Sequence, residues 1–140
     1  MTVITSTTLI DRLPEDVFDS CVDLRNELEW NPDVEKMEKV TDGPVGVGTR
    51  YQAKWKQSKV IDVECTSYNR PHTWTYLNGG PVVVVLTIHL SPEGQGTRLE
   101  ATFDATPKGM FRLVFPIFVR VMKRAERKNM TYIKTALERR

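Results

Sequence analysis

The hydrophobic period of this chain changes once, near Lys108, and that change limits its architecture more than any motif does. Between residues 51 and 106 apolar side chains recur at every second position, in segments separated by turn residues. That is the pattern of strands with one face buried. After Lys108 they fall three and four apart, the pattern of an amphipathic helix. Antiparallel strands with a common apolar face need a cover, and only one long helix is on offer to supply it. A curved sheet wrapped around one helix leaves space between the two, and such space takes apolar ligands.

Residues 2–10 are rich in β-branched side chains and read as a first strand. Pro14, Glu15 and Asp16 open a helix, because proline suits the first turn and acids complement its dipole. Val17, Phe18, Cys21, Val22 and Leu28 form the helix's apolar face, and Trp30-Asn31-Pro32 ends it. Residues 35–40 read as a short strand. Gly43-Pro44-Val45-Gly46-Val47-Gly48-Thr49-Arg50-Tyr51 has the glycine spacing of a phosphate loop, but a strand follows it rather than a helix. Its glycines are therefore expected to supply positive-φ turns ahead of a strand.

Tyr51, Ala53 and Trp55 share one strand face; Ile61, Val63 and Cys65 alternate with Asp62, Glu64 and Thr66; Trp74 and Tyr76 share a face after Arg70-Pro71-His72. Asn78-Gly79-Gly80-Pro81 and Ser91-Pro92-Glu93-Gly94 are turn signals on either side of a strand over residues 82–90. Leu99, Ala101, Phe103 and Ala105 give the cleanest alternation in the chain. In the C-terminal helix Phe111, Phe115, Phe118, Met122, Ala125, Ile133 and Ala136 form one stripe, with Arg120, Lys123, Arg124, Arg127 and Lys134 largely opposite. Pro116 is expected to kink this helix or mark its effective start. Leu113, Val114, Ile117, Val119 and Val121 widen its apolar belt beyond one stripe.

At 140 residues the chain reads as one domain, residues 1–140. No apolar run approaches the ~20 residues of a membrane span, and the N-terminus lacks a signal-peptide pattern, so a cytoplasmic location is expected. Cys21 and Cys65 read as reduced structural thiols. Residues 11–42 carry eleven acids against four bases, and residues 120–140 eight bases against two acids. The basic segment lacks the interleaved aromatics of single-strand binders, so no nucleic-acid partner is expected.

These segments, taken in order, resemble the START-like, helix-grip superfamily, and within it the bacterial polyketide cyclase/dehydrase and lipid-transport (SRPBCC) group. The resemblance is carried by Pro14-Glu15-Asp16-Val17-Phe18, Asp23, Asn26 and Trp30-Asn31-Pro32-Asp33-Val34. It continues through the residue 43–51 motif, Arg70-Pro71, Leu90-Ser91-Pro92, Gly96-Thr97-Arg98-Leu99 and the terminal Leu137-Glu138. It implies an α+β helix-grip fold: a curved antiparallel sheet wrapped around one long C-terminal helix, with a short helical segment after the first strand. It also implies a cavity for a hydrophobic small molecule. Some members cyclise or dehydrate polyketides and others bind or carry ligands; no universal catalytic motif comes with the group.

The residues themselves offer little catalytic chemistry. His72 and His89 are isolated, and no HExxH, CxxC or GxSxG pattern is present. No metal or cofactor is expected. Asp62 with Glu64, and Glu100 with Asp104, read as outward-facing pairs. The inward aromatic residues are the better candidates. The expected ligand wall comprises Trp30, capping the space from the end of the first helical segment, and Tyr51, Trp55, Ile61, Val63, Trp74, Tyr76 and Phe103 from the sheet. From the helix it takes Phe111, Phe115, Phe118, Met122 and the inward polar Asn129. An enzyme of the cyclase/dehydrase kind would use Tyr51 or Tyr76 as an acid or orienting group. A membrane-surface or protein-interaction module would use the belt at residues 110–122, which also suits a homodimer through the C-terminal helix.

Overall fold

The computed structural model describes residues 2–56, 58–80 and 82–139. Seven antiparallel strands form one sheet: β1 (Thr2–Ile10), β2 (Val34–Lys39), β3 (Arg50–Trp55), β4 (Ile61–Asn69), β5 (Thr73–Gly79), β6 (Val82–Glu93) and β7 (Gly96–Pro107). Their order is β1-β7-β6-β5-β4-β3-β2, so the first two strands of the chain occupy opposite edges. The segment between them, α1 (Pro14–Cys21), a 3-10 turn (Leu24–Asn26) and the one-turn helix α2 (Glu27–Trp30), crosses from edge to edge. The long helix α3 (Phe111–Glu138) closes the chain against β1, β7 and α2.

The main core lies between the sheet and these helices. Val17 and Phe18 of α1 are fully buried, and the Phe18 ring meets Trp74 edge-on at 4.9 Å and Tyr68 at 5.2 Å. Met130, Ile133 and Leu137 of α3 enter the same core. A smaller cluster, Val82, Val84 and Ala105, lies under Phe115, Phe118 and Met122 of α3's first half.

Four details depart from the sequence pattern. First, the helix expected to run to residue 30 breaks after Cys21. The Asp23 carboxylate accepts the Arg25 backbone N–H, starting a new turn in a different phase, and Leu28 is left exposed. Second, a bulge between Cys65 and Ser67 reverses the alternation of β4 and turns Tyr68 toward the core, opposite Trp74. Third, β6 continues through Ser91 and Pro92 rather than turning there. Its pairing on the β5 side ends with the Leu90 N–H donating to the His72 carbonyl, past which β7 alone pairs with it, and Pro92 need not donate on the open side. Fourth, α3 starts at Phe111 and carries Pro116 inside it, at the cost of the one intrahelical bond that the proline cannot donate. Pro81 of the expected 78–81 turn lies outside the described residues.

The two Gly-Thr-Arg sequences begin strands for different reasons. Gly48 takes φ +91° in the loop before β3, where the Thr49 hydroxyl accepts the Gly46 N–H. Gly96 needs closeness instead: a Cβ there would stand 2.6 Å from the Ile10 carbonyl oxygen. Next to it the Thr97 hydroxyl donates to the Arg12 carbonyl.

Candidate functional site

A polar group lies where α2, the end of β3 and α3 meet, and its two acids, Glu27 and Glu126, belong to no motif that the sequence marks. Asn31 caps the end of α2, extended at φ −106° as a residue before proline must be, and only 3% exposed. Its side-chain oxygen accepts the Asp33 backbone N–H at 3.0 Å, which fixes the amide's orientation. Its Nδ2 then donates to Glu27 Oε2 and to Asn129 Oδ1, both at 3.3 Å. From the end of β3, Trp55 Nε1 donates to the same Glu27 oxygen at 2.8 Å. Glu126 of α3, 4% exposed, completes the group.

Burial raises the Glu126 carboxyl first, and the nearby charge of Glu27 raises it further, to about 7; the Asn129 amide opposes both. Burial also raises Glu27, against the hydrogen bonds from Trp55 and Asn31. Two carboxyl groups in a sheltered site therefore share a region where both cannot comfortably ionise. At neutral pH such a site both accepts and donates hydrogen bonds.

A second polar line runs along the sheet floor. Tyr76 Oη donates to the Val22 carbonyl, and Tyr51 Oη lies 3.5 Å from Asp23 Oδ1. Burial pushes both phenols upward, and Tyr51 pushes Tyr76 up further. Tyr76 is thus tied to backbone as a neutral hydroxyl.

The predicted wall divides into three sets. Tyr51, Val63, Trp74 and Tyr76 are at most 2% exposed and pack against protein on all sides. Trp30, Trp55, Ile61 and Phe103 are partly buried at the margin of the main core. Phe115, Phe118 and Met122 are partly buried against the smaller cluster, with the Phe115 and Phe118 rings stacked at 5.9 Å. Asn129 points inward and finds Asn31. Phe111, expected on the inward stripe, is 39% exposed: it is the first residue of α3 and lies outside the small cluster that Phe115, Phe118 and Met122 cover. Two open grooves, of about 650 and 250 Å³, lie where α3 meets β1, and neither is lined by Trp55, Trp74 or Phe115.

Sequence reasoning missed Glu126 and Glu27. Glu126 had a signal: it stands four residues after Met122 and seven before Ile133, on the inward stripe itself. Glu27 had none, since the break after Cys21 changes the helical phase. His72 and His89 are exposed or partly so, as are Asp62 and Glu64. Among the described residues no cluster of His, Cys, Asp or Glu has metal-binding geometry.

An antiparallel sheet closed over one long C-terminal helix defines the helix-grip class. The chain belongs to the family described as polyketide cyclase/dehydrase and lipid transport, whose model matches residues 1–138. Solved structures agree on the fold. The protein TTHA0849 from Thermus thermophilus is similar at TM-score 0.81 and 18% identity, covering 97% of each chain. Ara h 8.0201 is similar at 0.76 and 15%, covering 99% of each. The Aha1 dimer from Colwellia psychrerythraea is similar at 0.75 and 15%, covering 99% of this chain and 97% of that one. No curated protein matches the chain by sequence.

Proposed function

We infer that this protein binds a hydrophobic or aromatic small molecule between the sheet and α3, as one cytoplasmic domain. The observation that carries this reading is the Glu27–Asn31–Trp55–Glu126–Asn129 group. Side chains this polar are costly inside a sheet–helix interface unless hydrogen-bonded, and these bond one another at the margin of an apolar core, the mixed polar and apolar lining that suits an oriented ligand. In this reading Trp30, Trp55, Ile61, Phe103, Phe115, Phe118 and Met122 contact the apolar body of the ligand. Asn129 and Glu126 hold its polar end, Phe111 stands at the mouth, and Tyr51, Val63, Trp74 and Tyr76 form the rigid floor. Room for the ligand comes from movement of the first half of α3, which rests on only a small cluster.

The test is native mass spectrometry of protein purified without added ligand, together with titration by anilinonaphthalene sulfonate. Saturable probe binding that quenches tryptophan emission, displaced by whatever co-purifies, is the expected result. Absence of any adduct together with unsaturable probe binding would sink the reading.

The carboxyl raised to about 7 favours a second reading, cyclase/dehydrase-like proton transfer. Its acid is then Glu126 rather than Tyr51 or Tyr76, whose hydroxyls are engaged with Asp23 and Val22. Glu126→Gln separates the two readings. Probe binding survives in both, while deuterium exchange into a 1,3-diketone is catalysed by the parent and lost in the variant only if the second holds.

A further inference from the structure

The outer face of α3's first half carries a second apolar stripe that the fold leaves uncovered. Met110, Leu113, Val114, Ile117 and Val121 stand at i, i+3, i+4, i+7 and i+11, which places them within an arc of about 100°. All are exposed, Leu113 at 80% and Ile117 at 64%. Single exposed aliphatics are ordinary, but five in line on one helix face are not. They differ from Phe115, Phe118 and Met122, which face the sheet from the same turns.

The charge around this stripe has one sign. From residue 105 to residue 125 the chain holds Lys108, Arg112, Arg120, Lys123 and Arg124 and no acid. One and two turns past Val121 the stripe itself becomes cationic, at Arg124 and Lys128. The salt bridges among the described residues engage none of these bases. The acid-rich segment of residues 11–42 pairs instead with Arg25, Lys36, Lys54, Lys56 and Arg70.

We propose that this face of α3 docks on an anionic lipid surface, with Leu113, Val114 and Ile117 in the acyl boundary and the flanking bases against headgroups. An apolar stripe bordered by Lys and Arg is the composition that lies in a membrane interface. A helix lying on the surface also suits a chain in which no described helix is long and apolar enough to cross. A second copy of this chain fits the face less well, because a two-fold pairing of the stripes would bring two sets of bases together. The docking stands on this face alone and does not depend on the ligand reading.

The experiment is co-sedimentation of the full chain with phosphatidylcholine vesicles, with and without phosphatidylserine. Binding to the phosphatidylserine vesicles that weakens with salt is the expected result. The L113S/I117S double variant should bind at least about tenfold more weakly, and K123E/R124E should lose the preference for phosphatidylserine. Unchanged circular dichroism and melting identify each variant as folded; if L113S/I117S does not fold, the single variant I117S takes its place. The proposal is overturned by absence of binding, by equal binding to both vesicles, or by a folded stripe variant that binds as well as the parent. It is also overturned by a dimer in light scattering that the stripe variant dissociates.

Discussion

The two halves of α3 are one continuous helix with opposite relations to the rest of the molecule. In the second half Met130, Ile133 and Leu137 are buried in the main core, and the Lys134 ammonium donates to the Leu9 carbonyl of β1. In the first half the inward side chains are only partly covered, and a second apolar stripe faces outward. An inward apolar stripe runs through both, and in the first half the apolar belt is the wider. What separates them is how much sheet lies beneath, so an apolar pattern establishes that a face wants burial and leaves open what buries it.

The largest test of this contrast is Leu137→Ala. A large-to-small change at a packed site with no room to collapse costs about 2–5 kcal/mol, read as a lower urea midpoint with unchanged slope. A loss under about 1 kcal/mol would mean that the second half is no better anchored than the first.

Next comes Glu126, at the junction of the halves. Its folded pKa, about 7, stands above the ordinary 4.5, so the folded state holds a proton that the unfolded chain has already released. Below the ordinary value both states are protonated and the group contributes no penalty. Stability then falls as pH rises from about 4.5 to about 7 and levels off above that. The total is roughly 3 kcal/mol for a shift of this size; Glu27, also raised, acts in the same direction. Melting curves across this range should show the fall in the parent and a flatter profile in Glu126→Gln. A parent whose stability is constant or rises over the window would contradict the buried, mutually repelling pair.

The smallest effect is expected at Ile117→Ser. An exposed side chain outside any core cluster should change stability by no more than about 0.5 kcal/mol. A cost comparable to that of Leu137→Ala would show that the outer stripe is covered within the folded chain, and the contrast would collapse.

The inward direction of four sheet residues and one helix residue was legible in the sequence. Tyr51, Val63, Trp74 and Tyr76 face the core because alternation over a strand admits one inward parity, and Asn129 points in because helical spacing does the same. The polar group was only half legible. Glu126 obeys the helical period but was overlooked because an acid on an apolar stripe contradicts the pattern that defines the stripe. Glu27 was beyond reach, because its position depends on the Asp23–Arg25 turn that resets the helix.

The sequence by itself determined the order of elements, the inward parity of the strands around Tyr51, Val63, Trp74 and Leu99 and the presence of one long covering helix, all consequences of local period. The tertiary structure decided the rest: where parity reverses at the β4 bulge, how far β6 runs, and which half of α3 is covered. It also decided that Glu27 from one helix meets Glu126 from another. Those outcomes depend on which residues, far apart in the chain, come to share a solvent-poor space, and the energy of two carboxyl groups is set by that space rather than by their neighbours in the chain.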